Sequence, residues 1–588
     1  MRLSKPKIYG TVSPARLFAA AVAALCCAAA LSVIETEAPF ASLWFLFEMN
    51  ITPFAITGAA VFVLLVLLDI FTPWRQILPA VLFISITQYA ILLVSEHANN
   101  IWFNIGLALV LYLAAGWILR EHRDFAGRIR IGYRTALAAG VLLFLLFTFI
   151  VGYFTVVRHM AYGASNFDFG IFAQMFDNMK DGGLPITTVE RNRVLSHFAV
   201  HFSPALYLLL PGYMLFSCPE YLLIAQAAVV GSGVFAVYAI AKHMGFTPKE
   251  TVLLQVLYLA LPSLAGGSMY DFHENCMLAP LVLWLLYFVL RQMPLPAFGF
   301  AMLVVAVKED AAIYVIAAAL FMLLYQKRYL FGSLLLAFAL AYFFLANTCV
   351  AWFGGEVMID RLANYFEPGS EAGFLQVVRT VLLDVGYLFS EVFNEKKVAF
   401  LIWVFLPLLF APLMGRRHAA LTLLIPLLVI NVMPDYPYQY DIAFQYTFGV
   451  MGMVLVCGML VLRERGREMR RTTLLAGAAI ALVMTVSLNM PLMRTYWRIY
   501  DQNAETFAAT TACLQRLPRD AEIMAGTYLI AHLDEWDTVY MFDSVNQPHT
   551  EYAVLDTRGD NRVFKEYMGD AYILIDSGGY CEVYRLKG

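Results

Sequence analysis

The sequence predicts an all-α polytopic membrane protein of about 13–15 transmembrane helices, with a small C-terminal α/β domain outside the bilayer. Three observations predict it. Hydrophobic residues fill 61% of the 588 positions and charged residues 14%, against roughly 45–50% and 25% in soluble domains; mean hydropathy is +0.69. The apolar residues come in blocks of about 20, the number of helical residues that spans a hydrocarbon core. From residue 492 onward that composition gives way to short strand-like runs. These features exclude a soluble enzyme, a disordered chain and a secreted disulfide scaffold. A net charge of −3 implies no polyanion, so no nucleic-acid partner is expected. The eight cysteines show neither CxxC nor zinc-ligand spacing.

Apolar windows at 16–34, 53–71, 76–95 and 101–119 make an N-terminal transmembrane extension, residues 1–134. The first follows Arg2, Lys5, Lys7 and Arg16 without a small-residue cleavage site, so it reads as a retained anchor. The main transmembrane module is residues 135–491, with windows at 135–157, 219–241, 251–268, 276–291, 294–307, 311–325, 329–350, 399–415, 418–432, 447–462 and 473–491. Its long loops are 158–218 and 351–398, the second mostly amphipathic. With the N-terminus in the cytoplasm, the inner segments hold more than half of the 40 Lys and Arg but a small minority of the 43 Asp and Glu. They include the arginine-rich loops 120–134 (Arg120, Arg123, Arg128, Arg130, Arg134) and 463–471 (Arg463, Arg465, Arg467, Arg470, Arg471), as the positive-inside rule requires. That orientation puts the long loops and the tail outside, on the cell membrane's outer face.

The tail, residues 492–588, carries strand-like runs at Glu522–Ala525, Thr538–Phe542, Tyr552–Leu555, Tyr572–Ile575 and Glu582–Tyr584. Asp576-Ser577-Gly578-Gly579 between the last two signals a hairpin. Cys513 and Cys581 are the only cysteines of this segment, and an oxidising compartment would permit them to pair; two free thiols are the alternative.

Charge is costly in such a chain, so charged residues beside apolar blocks are informative. They fall in four groups on the expected outer face: Arg158, His159, Asn166, Asp168, Glu190, Arg191, Arg193, His197 and His201 in the first long loop; Asp271-Phe272-His273-Glu274-Asn275; Lys308-Glu309-Asp310; and Asn431 with Asp435-Tyr436-Pro437-Tyr438-Gln439-Tyr440-Asp441 and Gln445-Tyr446. If they meet, carboxylates, imidazoles and cations share one site, the minimum for acid–base chemistry on a substrate from the membrane.

Each group has a structural alternative. Asp168 precedes Ile171, Phe172, Met175, Phe176 and Met179 at helical spacing, an amphipathic helix suited to a membrane surface. Either Asp168 or Asn166 caps that helix, or Asp168 is a carboxylate aimed at a substrate hydroxyl. His197 and His201 have the i, i+4 spacing of a metal pair, but Pro204 suggests the helix stops there, leaving hydrogen-bonded structural histidines. Asp271-Phe272-His273-Glu274 has ligand chemistry, or is a polar turn capping the next span. Lys308-Glu309-Asp310 interrupts an apolar stretch and is either a self-paired turn or a lysine for a phosphate group.

The series Asn166-Phe167-Asp168-Phe169-Gly170-Ile171-Phe172, His201-Phe202-Ser203-Pro204, Asp271-Phe272-His273-Glu274 and Lys308-Glu309-Asp310 resembles the FDLGIF, HFSP, DFHPE and KED signatures of a family of bacterial and archaeal membrane proteins of uncharacterised function. Phe169 replaces a leucine. Gln439-Tyr440, Gln445-Tyr446, His532-Leu533 and Val539-Tyr540-Met541-Phe542 extend the likeness. That family is similar to the GT-C class of membrane glycosyltransferases, which take sugar from a polyprenyl-phosphate carrier and use an acidic residue of the first large outer loop.

The resemblance implies a sugar moved from a polyprenyl-phosphate carrier in the lipid bilayer to an extracytoplasmic lipid, glycan or protein acceptor. Asp168 matches the acidic residue, with Asp271 and Glu309 as further catalytic candidates. Arg158, Arg193, His201, His273, Glu274, Lys308, Asp310, Gln439 and Tyr440 would bind substrate, Lys308 taking the phosphate. The resemblance fixes no cofactor; a divalent metal ion is an option, with Asp168, Asp271 and His273 as candidate ligands. A lipid or glycan flippase and a non-catalytic assembly protein are the alternatives. A flippase would need charges near the midplane and often internal repeats, and neither is found.

Overall fold

The computed structural model describes residues 13–35, 43–71, 77–97, 100–121, 131–356, 359–367, 373–542 and 549–587. Arg2, Lys5, Lys7, Arg123, Arg128 and Arg130, part of the charge argument for orientation, lie outside the described residues.

The chain is a helical membrane protein with a small C-terminal sheet. Among the described residues eight helices are long and apolar enough to cross a bilayer, and nine if the pair Pro248–Leu259 and Pro262–Ser268, bent by 48°, is one broken span. Pro262 explains the break: it supplies no N–H to the preceding turn. Helices Leu278–Leu290, Pro294–Val305 and Ala312–Leu320 are shorter. At 1.5 Å per residue each reaches about 20 Å or less, short of the roughly 30 Å hydrocarbon core. The polar turns joining them therefore sit among the longer helices, and Asp271, His273, Glu274 and Lys308 are buried.

The windows at 399–415 and 418–432 do not form two regular spans. Helix Glu395–Phe405 gives way to 3-10 turns at Leu406–Leu408, Ala411–Met414 and His418–Leu424 and a π-turn at Leu427–Val432. Pro407, Pro412 and Pro426 remove donors, and Leu409 and Phe410 adopt positive φ. A hydropathy window registers composition and is blind to such breaks.

Helix Phe448–Arg463 is apolar all round and buried from Phe448 to Leu462, the mark of a central element. Gly449 lets it approach its neighbour: a Cβ there would lie 2.6 Å from the Tyr314 ring. The N-terminal helices attach through Ala90, Ala108, Leu111 and Ala115, which share a core with Ile480, Val483 and Met484.

Those last residues belong to helix Arg467–Leu514, whose 48 residues reach about 72 Å, more than twice the hydrocarbon core. The expected boundary at 491/492 thus falls inside one helix that contains Pro491 and a kink at Asn503. It runs on into the C-terminal unit.

Strands β1 (Ile186–Thr187) and β2 (Leu195–Ser196) pair antiparallel in the first long loop. The tail forms a sheet of β3 (Ile523–Ala525), β4 (Val539–Met541), β5 (Tyr552–Asp556), β6 (Tyr572–Gly578) and β7 (Cys581–Leu586), in the order β4-β3-β5-β7-β6. β3 is parallel to β4 and β5, and β7 is antiparallel to β5 and β6. The five runs read from the sequence are these strands. Gly579, at φ +56, turns the hairpin; a Cβ there would meet the Thr506 carbonyl at 2.2 Å. Cys513 and Cys581 are buried free thiols whose side chains interact electrostatically.

Candidate functional site

The site starts from the end of helix Tyr133–Met160. Arg158, in its last turn, sends Nη2 to Asp271 Oδ1 at 2.9 Å, Nε to the Gly163 carbonyl at 3.2 Å and Nη1 to the Met269 carbonyl at 3.3 Å. Ser165 donates from N and Oγ to Asp271 Oδ2 at 3.3 and 3.2 Å. Asp271 is therefore committed to a buried ion pair that pins the start of the loop carrying Asp168. Losing either partner would leave an uncompensated buried charge.

Asp168 lies in a π-turn, Asn166–Gly170, followed directly by helix Ile171–Gly182. Neither element has a side-chain cap, so Asp168 is not a helix cap; Asn166 donates to Met541 Sδ at 3.1 Å. The Asp168 carboxylate keeps partial exposure and interacts with the Tyr270 hydroxyl. Burial raises its pKa above the usual carboxylate range, His273 opposes that shift, and Asp271 and Glu274 add to it.

The other groups are joined by contacts. His273 Nδ1 lies 3.0 Å from Glu274 Oε2, and Lys308 Nζ lies 3.5 Å from Glu274 Oε1. His201 Nδ1 is 2.9 Å from Glu309 Oε1, and the Phe202 N–H donates to Glu309 Oε2 at 3.2 Å. Burial first and Lys308 next depress His201 to about 4, so near neutral pH a neutral imidazole donates to a carboxylate. Asp310 is half-buried and faces Lys308 and Arg361 electrostatically. Arg361 lies over the rings of Tyr436 and Tyr446, 4.9 and 5.3 Å from their centroids. Asn431 Nδ2 donates to the Gln439 carbonyl at 2.6 Å, and the Lys397 ammonium is 5.4 Å from the Tyr440 ring.

The structure thus brings together residues of all four polar groups. It does not bring Arg193, which is exposed and tied to the cluster by no contact among the described residues. It brings the rings of His197 and His201 to 5.8 Å in edge contact but not as a metal pair on one helix face: His197–Ala199 is a 3-10 turn, and His197 turns to Glu190, 2.9 Å away, while His201 turns to Glu309. Among the described residues no three His, Cys, Asp or Glu side chains are grouped to hold a metal ion. Asp271 is spent on Arg158 and His273 on Glu274, so the candidate set Asp168, Asp271 and His273 does not fit one.

Several buried amide oxygens here have no donor: Asn275 Oδ1, Asn431 Oδ1, Gln439 Oε1 and Gln445 Oε1. Buried acceptors are ordinarily satisfied. Such a set suits a ligand rich in hydroxyl or amino donors.

The tail sheet covers the loop beside Asp168. Thr188 Oγ1 donates to the Val539 carbonyl at 2.7 Å and accepts from Val539 N at 2.9 Å. Asn192 makes the same two-way contact with Met541, both bonds 2.8 Å. The His532 ring stacks between His159 and Tyr162, 4.0 and 3.9 Å from their centroids.

Sequence reading missed Tyr270, Arg361 and Lys397. Tyr270 resembles any interfacial aromatic, and the two cations sit in segment 351–398 among ordinary surface charges.

Residues 158–558 match a family model described as Predicted membrane protein (DUF2079). No curated protein matches the sequence. Among solved structures, ArnT from Cupriavidus metallidurans in the apo state is 14% identical with a TM-score of 0.47, over 76% of this chain and 98% of that one. The same protein bound to undecaprenyl phosphate is 13% identical with a TM-score of 0.47, over 76% and 97%.

Proposed function

We propose that this chain, which belongs to the family described as Predicted membrane protein (DUF2079), is a glycosyltransferase that moves a sugar from a polyprenyl-phosphate carrier to an extracytoplasmic acceptor. One observation carries the reading. Four segments far apart in sequence supply to one polar centre a carboxylate that is in no direct ion pair among the described residues, a buried lysine and a set of amide oxygens without a donor. The motifs resemble those of the family, and that family's likeness to the GT-C class supports the same reading.

In the proposed reaction the acceptor hydroxyl gives its proton to Asp168 as its oxygen attacks the anomeric carbon. The bond from that carbon to the phosphate oxygen breaks, and polyprenyl phosphate leaves with the electron pair. Lys308, held beside Glu274, faces the growing negative charge, and a charge-assisted contact there strengthens as the bond breaks. The acceptor oxygens of Asn275, Asn431, Gln439 and Gln445 hold sugar hydroxyls. Arg158 and Asp271 are positioning residues that fix the loop of Asp168. The transfer face is the outer one, with the N-terminus cytoplasmic and the sheet outside.

The test compares lipid-linked sugars and surface glycans in a deletion strain and its parent. The reading expects one polyprenyl-phosphate sugar to accumulate and one surface sugar to disappear. Unchanged pools of both would overturn it.

A further inference from the structure

Two buried cysteines of the tail have no part in the function proposed above. Cys513 lies in the last turn of helix Arg467–Leu514 and Cys581 opens β7; they are 0% and 1% exposed and share one apolar core. No other cysteine lies beyond residue 491. Three contacts hold the helix and the β6–β7 hairpin in register. The Tyr580 N–H donates to Thr510 Oγ1 at 2.8 Å, the Tyr580 hydroxyl to Asn503 Oδ1 at 2.9 Å, and Arg516 Nε to Asp576 Oδ2 at 2.6 Å. They flank Cys513 on both sides, so helix and hairpin are not free to slide past each other.

Gly578 brings the two cysteines together. It is the cross-strand partner of Cys581, and directly opposed residues of an antiparallel pair send their side chains to one face, with Cβ atoms about 4.5–5.5 Å apart. A Cβ on Gly578 would lie 3.2 Å from the Cys513 Cβ. Cys513 therefore sits over the space that Gly578 leaves unfilled, on the face that carries the Cys581 side chain, and the two side chains interact electrostatically. A disulfide needs Cβ atoms about 3.5–4.5 Å apart, within reach of this placement. Cysteine as a small apolar filler would not need a second cysteine facing it.

We propose that Cys513 and Cys581 form a disulfide in the exported protein, which closes the β6–β7 hairpin onto the end of the long helix. The proposal rests on the outer placement of the sheet in the reading above, where an oxidising compartment permits the bond; it does not rest on the transfer reaction. The oxidant is a disulfide donor of that compartment. One cysteine, as thiolate, attacks a sulfur of the donor and expels one donor thiolate. The second cysteine thiolate attacks the first cysteine's sulfur and expels the other. Two S–H protons leave, the cysteine pair loses two electrons, and the donor gains them to become two thiols. Both sulfurs are sealed in the folded tail, so the exchange precedes closure of the sheet. The cross-link then ties the sheet, with the contacts of Val539 and Met541 to the loop beside Asp168, to the helix that leads back into the membrane.

The experiment takes the full chain from membranes quenched in acid, unfolds it with and without reductant, alkylates it and reads the peptides by mass spectrometry. The proposal expects Cys513 and Cys581 to escape alkylation until reductant is added, and to appear in one linked peptide pair. Reduction should lower the melting temperature of wild type on the order of 10 °C and leave that of Cys513→Ser/Cys581→Ser unchanged. A second arm places Val563→Cys, an exposed position of the tail, in that double-serine background and labels spheroplasts with a membrane-impermeant maleimide. Full alkylation of both native thiols without reductant, with Val563→Cys labelled above the background, would overturn the disulfide and leave the outer face standing. Full alkylation with Val563→Cys unlabelled would overturn both the disulfide and the outer placement of the sheet.

Discussion

Two buried acidic centres sit at opposite ends of the helices and are built differently. At the end expected to face the cytoplasm, Glu250 completes a capping box with Thr247, and Arg470 reaches both its oxygens at 2.9 and 3.2 Å. Every part of that carboxylate is used, and the centre ties helix Pro248–Leu259 to helix Arg467–Leu514. At the other end Glu274 is equally buried and pairs with His273 and Lys308, yet four neighbouring amides keep an acceptor unused. A satisfied network holds a fold together; an unsatisfied one leaves room for a ligand. The two centres therefore answer differently to substitution.

The largest expected effect is at Asp168. Asp168→Asn keeps size and shape, and no cap is lost because Asp168 makes none. Transfer should fall by about 10²–10⁴, the usual worth of a positioned base, with the melting temperature unchanged. A stable variant with near-parental turnover would remove Asp168 from the chemistry.

Glu250→Ala should do the reverse. Breaking a buried pair costs about 3 kcal/mol or more, so thermal unfolding should shift down while the turnover of the folded fraction stays the same. If turnover falls with unchanged stability, the contrast between the two ends is wrong.

Lys308 falls between the two, because it is buried but partnered by a ligand-facing carboxylate. Lys308→Ala should weaken donor binding about tenfold, and Lys308→Arg, which keeps a cation for phosphate, should weaken it less. Equal donor affinity in wild type and Lys308→Ala would end the phosphate role.

The smallest effect is on pH. Burial raises Asp168 above the ordinary carboxylate range, so the acid limb of the rate should lie above that range, falling tenfold per pH unit. The stability sign is opposite. A carboxyl with a raised folded pKa favours the protonated state, so its contribution is lost as pH rises through the folded value and recovered as pH falls. Activity should therefore drop in a window where unfolding shows no acid destabilisation from this group.

Much of this site was legible because charge in an apolar chain is rarely idle: Asp168, Asp271, Glu274 and Lys308 all stand out at the margins of apolar blocks. The partners were not legible. That Arg158 pairs with Asp271, or His201 with Glu309, depends on contacts across more than 100 residues of chain, and no spacing encodes them. The charged turns also read as loops beyond the bundle, whereas short helices draw them inside it. Lys397 was hidden by Glu395 and Lys396 beside it, a run that looks solvated until the helix phase buries one member. In the tail the reverse held: alternation and Gly579 mark the hairpin locally, while the long helix Arg467–Leu514 disguised where that unit begins.

The central claim is that the unsatisfied outer centre holds a lipid-phosphate sugar. The most direct measurement is an electron cryomicroscopy map of the full chain in nanodiscs with a polyprenyl-phosphate sugar, using Asp168→Asn to prevent turnover. The account predicts sugar density against Asn275, Asn431 and Gln445, the phosphate at Lys308 and the anomeric carbon facing residue 168. A donor bound elsewhere, with these acceptors left unfilled, would contradict it.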